Sequence, residues 1–374
     1  MASLSKHFQN LNDPRAEHSI DHLLIDMVII TICAVICGGN NWVEIENYGH
    51  AKKDWLKTFL ELPHGIPSHD TLMRLFARLQ PKQLQECFLS WIESVRNITK
   101  GQVIALDGKT LRSAYQTGEN RGAIHMVSAW ATKNRLVLGQ TKVSDKSNEI
   151  TAIPELLKVL TIEGNIVSID AMGCQKEIAE NIIEEKGDYV LALKGNHPNL
   201  YQDVVQLFQF ARQQNWKGIE HQFNQTVDKN HGRVEIRRHW TMGKTEYLDG
   251  ADQWKGLQSI GMVESERRVK DKITVERRYY LMSIESNAQV FAQSVRSHWG
   301  IENQLHWVLD VSFQEDSLRG CLGYSGENLA VVRHLALNLL THESTAKGGI
   351  HAKRLKAGWN NNYLSLVLNS LCVG

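Results

Sequence analysis

Two short apolar runs each stop at an aspartate, and this repeated arrangement constrains the fold more than any other feature of the chain. Val103-Ile104-Ala105-Leu106 leads into Asp107 and then Gly108-Lys109-Thr110; Ile166-Val167-Ser168-Ile169 leads into Asp170 and then Ala171-Met172-Gly173. Apolar runs rich in β-branched residues and bounded by polar, glycine-containing sequence read as buried strands. Each aspartate is therefore expected at the C-terminal end of a core strand. A third acid, Glu302, stands far downstream in Trp299-Gly300-Ile301-Glu302-Asn303, inside a helical pattern that begins near Ala288. Two strand-end carboxylates and one from a late helix suit two-metal phosphodiester chemistry. Carboxylates are hard oxygen ligands, and Mg²⁺ takes a few of them together with water and phosphate. Read singly, Asp107 and Asp170 are also good turn formers.

The elements around these acids fall into an order. Residues from about 18 to 98 read as helices: His18 to Gly38, Trp42 to Ala51, one opened by Pro67-Ser68-His69-Asp70 with Ser68 or Asp70 as N-cap, and one starting at Pro81. A boundary is expected near Asn97-Gly101. Strands follow at Gln102 to Leu106, Ala123 to Ala131 and Leu136 to Val143. Then come a helix (Asn148 to Leu160), a strand (Asn165 to Ile169), a helix (Gln175 to Lys186) and a strand (Asp188 to Leu193). The order β-β-β-α-β-α-β predicts a mixed α/β sheet covered by helices, the order of a ribonuclease H-like core. A helix from Pro198 to Gln213 then leads into strand-rich sequence, read as an insertion over about 197–285. The helix of Glu302 follows, and two helices, about Gly326 to Thr341 and Tyr363 to Leu371, close the chain. The domain expectation is a helical N-terminal unit, 1–98, and a catalytic unit, 99–374.

Composition excludes several classes. With 374 residues, 42% hydrophobic and 22% charged, the chain reads as an ordinary globular protein of two or three domains. The six cysteines are scattered without a CxxC pair, which argues against a zinc site and a secreted disulfide framework. The most apolar stretch, Leu23 to Cys37, is shorter than the ~20 residues of a membrane span and contains Asp26. The polar N-terminus shows no signal-peptide pattern. The expected location is cytoplasmic. Net charge is only +1, so overall balance gives no support to nucleic-acid binding. Basic residues nevertheless cluster at Arg233 to Arg238, Arg267 to Lys270, Arg277-Arg278 and Lys353 to Lys356. Such stripes can bind phosphate, or they can be strand faces paired to Glu264, Glu266 and Glu276.

Glu302 has His298 and His306 at i−4 and i+4, with Asp310 a further turn on, all sharing one helix face. This face reads as a solvated polar stripe, a weak two-histidine zinc pattern, or a catalytic helix whose histidines touch phosphate or orient ligands. Trp299 and Trp307 on the same helix read as core contacts. Lys109, Arg112 and Lys194 are expected near the strand ends, as ordinary polar loop residues or as phosphate-positioning cations.

The same residues carry a family resemblance. Phe8 to Arg15 and Ile66 to Thr71 resemble the N-terminal associated domain of DDE transposases of bacterial insertion sequences, in particular the H-repeat-associated proteins of the ISAs group. Ala105 to Arg112, Ser168 to Ala171 and His298 to Asn303 resemble that family's three catalytic blocks. His231-Gly232-Arg233, with Glu235 and Arg237, resembles a stretch of its β-insertion. The resemblance covers nearly the whole chain. It implies a transposase that cuts and joins DNA, with Asp107, Asp170 and Glu302 holding two Mg²⁺ ions, for which Mn²⁺ can substitute. It also implies DNA contacts from Lys109, Arg112, Lys194, Arg233, Arg237, Arg238 and His298. The implied partner is double-stranded DNA, both element ends and target, with a homodimer on DNA as a candidate assembly, nucleoid-associated when bound, and no membrane. The 1–98 unit is expected to recognise element ends or pair complexes, against a purely scaffolding role. Where related transposases carry Tyr, Arg and Lys around the third carboxylate, this chain has Val295, His298 and Leu309. Two other readings stand beside a working transposase: a degenerate H-repeat protein that binds DNA without transposing, and a host nuclease on the same fold.

Overall fold

A computed structural model of the chain describes residues 2–95, 101–111, 124–143, 149–230, 232–270, 272–317 and 321–371. Six helices come first: α1 (Ala2–Phe8), α2 (Leu24–Ile36), α3 (Trp42–Ala51), α4 (Lys53–Leu56), α5 (His69–Arg78) and α6 (Pro81–Val95). The long helix expected from His18 is shorter than its apolar pattern suggested. A single 3-10 turn at Glu17–Ser19 precedes it, and α2 starts at Leu24. Asp26 is tolerated inside α2 because its carboxylate accepts the Leu62 amide at 2.8 Å. Ser68 caps α5 by accepting the Thr71 amide.

Strands β1 (Val103–Leu111), β2 (Ile124–Ala131) and β3 (Leu136–Lys142) form an antiparallel meander. Helix α7 (Glu149–Val159), β4 (Ile166–Ile169), α8 (Lys176–Glu184) and β5 (Asp188–Leu193) follow, with β4 parallel to both β1 and β5. After α9 (Pro198–Gln213), β6 (Gln222–Asn230), β7 (Arg233–Met242), β8 (Ser259–Val269) and β9 (Lys272–Met282) pair antiparallel. The strand-rich segment continues the same sheet, because β9 pairs with β5 through Val190 to Leu193. Among the described residues the order is β3-β2-β1-β4-β5-β9-β8-β7-β6.

Two findings correct the expected boundaries. Asp107 does not end its strand: β1 runs on to Leu111, and Gly108-Lys109-Thr110 is strand, not turn. The apolar run stops at Leu106 because the parallel neighbour stops there, Leu106 lying opposite Ile169. Pairing with β2 continues to Leu111 opposite Ile124. Near the C-terminus a helix that the pattern did not show, α13 (Ile350–Trp359), lies between α12 (Ser325–His342) and α14 (Asn361–Leu368).

The N-terminal helices share one core with the C-terminal ones, since a single cluster of buried apolar side chains runs from Leu4 to Leu368. Helix α12, which is buried along most of its length, packs on α2, α5 and α6. Asn328 donates to the carbonyls of Phe76 and Leu79, and Arg354 to that of Val35 at 2.8 Å. The opposite side of the sheet is covered by α10 (Ala288–Ile301), which rests Phe291 and Val295 on Val103, Ile166, Val190 and Tyr280.

Candidate active site

Alternation along the strands decides which side chains meet α10. In β1 the residues in phase with Val103 are Ala105, Asp107 and Lys109; in β4 and just beyond it, Ile166, Ser168 and Asp170; in β5, Val190, Ala192 and Lys194. These polar positions open towards the end of α10. There the helix widens into one π turn, Glu302–His306, before α11 (Trp307–Phe313). Such a wide turn re-aims side chains and recurs at functional sites.

Asp107, Asp170 and Glu302 line one pocket of about 230 Å³, together with Ser168, Lys194 and His298. Ligand-capable atoms of Asp107, Glu302 and His306 all lie within 4.8 Å of one another. His306 Nδ1 is 3.5 Å from Asp107 and 3.7 Å from Glu302. Its buried Nε2 has no hydrogen-bond partner among the described residues. Asp170 accepts the Met172 amide at 3.0 Å and the Gly173 amide at 3.3 Å through one oxygen, so the turn after β4 fixes its orientation.

The carboxylates are poorly compensated. Burial, then the charges of Glu302 and Asp170, push the Asp107 carboxyl well above its ordinary range. Glu302 is held below its ordinary value, first by its hydrogen bond with His306. The two carboxyls of the pair are thus shifted in opposite directions. Burial lowers the His298 ring against the pull of Asp170, and its Nδ1 stands 3.1 Å from Ser168 Oγ. His298 is thus a half-buried ring holding β4 to α10.

The remaining expected residues divide. Lys194 is exposed at the pocket edge. Arg112 and His231 lie outside the described residues. Lys109 points into a second cluster, which the sequence reading missed in part: its ammonium bonds Asp310 of α11 and Glu315, the latter at 2.7 Å. Arg333 of α12 stands 3.7 Å from the other oxygen of Glu315, and both side chains are almost fully buried. The Lys109 amine is therefore taken up by carboxylates. Burial would lower it, but Glu315 first and Asp310 next hold it above its ordinary value. Glu149, at the start of α7, was also missed. Its carboxylate occupies the space that a Cβ at Gly108 would need, which accounts for glycine directly after Asp107. No local pattern pointed to Glu315, Arg333 or Glu149, since each is brought in from a separate element.

The basic clusters of β6–β9 are largely paired. Arg233 meets Glu235 at 2.8 Å, Arg237 meets Asp228 and Glu235, and Arg238 bridges Glu264 and Glu266 at 3.1 and 2.9 Å. Lys353 and Arg354 are buried structural residues, not a surface stripe. Trp299 and Trp307, expected in the core, are 42% and 59% exposed. Helix α10 uses Phe291, Val295 and His298 against the sheet, which leaves Trp299 outside beneath the Arg278 guanidinium, 4.8 Å from the ring centroid.

Comparison with known proteins gives this geometry its context. The family model described as "Transposase DDE domain" matches residues 98–339, and the one described as "DDE_Tnp_1-associated" matches 5–92. The chain belongs to the DDE transposase family. It is 40% identical over 375 residues to the "H repeat-associated putative transposase YhhI" of Escherichia coli K12, covering 98% of each chain. It is 41% identical over 372 residues to the YncI protein of Escherichia coli O157:H7, named as a transposase of the same provisional kind, covering 98% of this chain and 95% of that one. A solved piggyBac transposase synaptic complex with hairpin DNA aligns over 99% of this chain and 76% of that one. At a TM-score of 0.44 and 11% identity, that likeness carries no argument. No helix among the described residues of this transposase-family chain is long and apolar enough to cross a membrane.

Proposed function

We propose that the protein is a DNA transposase that cuts and joins DNA by metal-dependent phosphoryl transfer on a ribonuclease H-like core. The observation that carries this reading is the convergence of Asp107, Asp170 and Glu302 on one pocket from a mid-strand position, a strand end and a widened helix turn. The strand order β3-β2-β1-β4-β5, antiparallel and then parallel, supports the core assignment. In this reading residues 99–374 form the catalytic unit, and residues 1–98 help to recognise or pair element ends while also buttressing the core.

The donor set fits divalent cations. Three carboxylates face one pocket, burial and then the charges of the other two raise the Asp107 carboxyl, and the His306 Nδ1 stands 3.5 and 3.7 Å from Asp107 and Glu302. Asp107, Asp170 and Glu302 would hold the ions, with Mg²⁺ or Mn²⁺ suited to such oxygen ligands. When bound, they supply a lowered pKa for the attacking water or 3′-hydroxyl and charge stabilisation for the leaving oxygen. The chain's own residues do the rest. The Asp170 turn fixes one carboxylate, the His306 hydrogen bond lowers the Glu302 carboxyl beside Asp107, and Ser168 with His298 ties β4 to α10. Lys194 stands where an exposed cation meets the substrate phosphate as a point charge.

The test is incubation of the full chain with duplexes carrying the DNA that flanks its gene, with Mg²⁺ or with chelator, scoring cutting and joining separately. Metal-dependent cutting with joining is the expected result. Cutting without joining would indicate a nuclease, and binding without cutting a degenerate transposase.

A further inference from the structure

We propose that DNA next to the reacting phosphate runs along an outer groove between α10 and the distal half of β6–β9, held there by Arg267 and Arg296. This inference rests on the transposase reading and deepens it by assigning the substrate path.

The groove joins the carboxylate pocket. Arg278 and Trp299 line both, and beyond them the space widens to about 820 Å³. Register sets which strand face forms its wall. Arg237 lies opposite Ser265, and Ser265 opposite Glu276; two residues further out Glu235 lies opposite Arg267, and Arg267 opposite Thr274. These side chains share the α10 side of the sheet, whereas Arg238 alternates to the other face and meets Glu264 and Glu266.

Charge then separates the groove's cations. Six Lys and Arg residues and four Asp and Glu residues line it. Asp228 and Glu235 are bound by Arg237, Glu235 also by Arg233, Glu276 by Arg278, and Glu266 by Arg238 and Arg268. Arg267, Arg296 and, at the outer end, Lys229 are exposed, and none meets a carboxylate among the described residues; the two arginines lie nearer the pocket end of α10 and the strand wall. They are free to form the bidentate contacts that a guanidinium makes with phosphate. Arg296 on α10 precedes Glu302 of the following π turn by six positions, so one continuous helical stretch carries both a pocket carboxylate and a groove cation. His298, the nearer basic residue, is turned to Ser168 and does not serve this role. A negatively charged backbone leaving the pocket past Trp299 meets the unneutralised arginines next.

The experiment measures binding of a random-sequence duplex by fluorescence anisotropy over a salt series. It uses the full chain, the pair R267A/R296A, and the pair K158A/K186Q on the α7–α8 side as control. Loss of two phosphate contacts makes the log–log salt slope shallower by about 1.8. That change in R267A/R296A, with the control pair and the melting temperature as in wild type, is the expected result. A wild-type slope in R267A/R296A overturns the groove while leaving the transposase reading intact, and so does an equal change in the control. A wild-type chain that binds no duplex even at low salt overturns both.

Discussion

Two acidic clusters sit within a few residues of each other on the same strand and the same helical stretch, and they are electrostatic opposites. Asp107 and Glu302 crowd together with Asp170 close by, and no lysine or arginine forms an ion pair with them among the described residues; two positions along β1 and eight along the helix, Asp310 and Glu315 enclose Lys109, with Arg333 behind. The first arrangement leaves its negative charge without a lysine or arginine partner among the described residues. The second is saturated and clamps β1 to α11 and α12. On the proposed reading the difference separates a cluster kept for chemistry from one kept for position, although both read alike as acids on a helix face. Strand β1 carries both, so the clamp at Lys109 also fixes the backbone that presents Asp107.

The largest effect should come from breaking the saturated cluster. Glu315→Ala leaves Lys109 and Arg333 buried without their shared partner, and should lower unfolding free energy in urea by about 3–5 kcal/mol. A loss below about 1 kcal/mol would mean that the cluster is not a clamp.

Glu343 tests the same principle with pH. Burial raises its carboxyl, but hydrogen bonds from Thr345, Tyr363 and the Ala346 amide outweigh this and hold it down at about 2. A folded value below the unfolded 4.5 contributes stability that is full above about pH 4.5 and is lost as pH falls through about 2. Glu343→Gln should therefore cost about 1–3 kcal/mol at pH 7. Its stability curve should meet the wild-type curve near pH 2, and parallel curves throughout would remove the assignment.

The unsaturated cluster should respond with the opposite sign. Asp107→Asn removes one of the crowded carboxylates and should stabilise the chain by about 1 kcal/mol, the usual signature of a site strained for function. Mn²⁺ should raise the melting temperature of wild type and not of the variant. A destabilised Asp107→Asn would place Asp107 among the structural acids. The smallest change belongs to the paired arginines of the sheet's outer half. Arg233, 44% exposed, meets Glu235 in water, so Arg233→Ala should alter stability by less than about 0.5 kcal/mol. A larger loss would make that surface network more than a solvated strand face.

Much of this was legible because the strands alternate with helices and bury apolar residues in short runs. The sequence placed β5 and α9 at their observed ends and brought Asp107, Asp170 and Glu302 forward. It misplaced Asp107 at a strand end because hydrophobicity reports burial on both faces, and β1 outlives its parallel neighbour by five residues, Asp107 to Leu111. Trp299 and Trp307 misled for the converse reason: a large ring on a helix signals the core only if that face is covered. The joining of β9 to β5, and of Glu315 and Arg333 to Lys109, depends on contacts between distant segments, for which no local period exists. The basic stripes showed charge but not its partners, so only register separates Arg267 from Arg238.

Metal-dependent strand cleavage of duplexes bearing the gene-flanking sequence, compared between wild type and the single variants Asp107→Asn, Asp170→Asn and Glu302→Gln, tests the central claim most directly. The account predicts cutting by wild type in Mg²⁺ or Mn²⁺ and none in chelator, with each folded variant slowed by about a thousandfold or more, corresponding to about 4 kcal/mol of transition-state stabilisation. Near-wild-type cutting by any one of the three variants, or cutting by wild type in chelator, would contradict it.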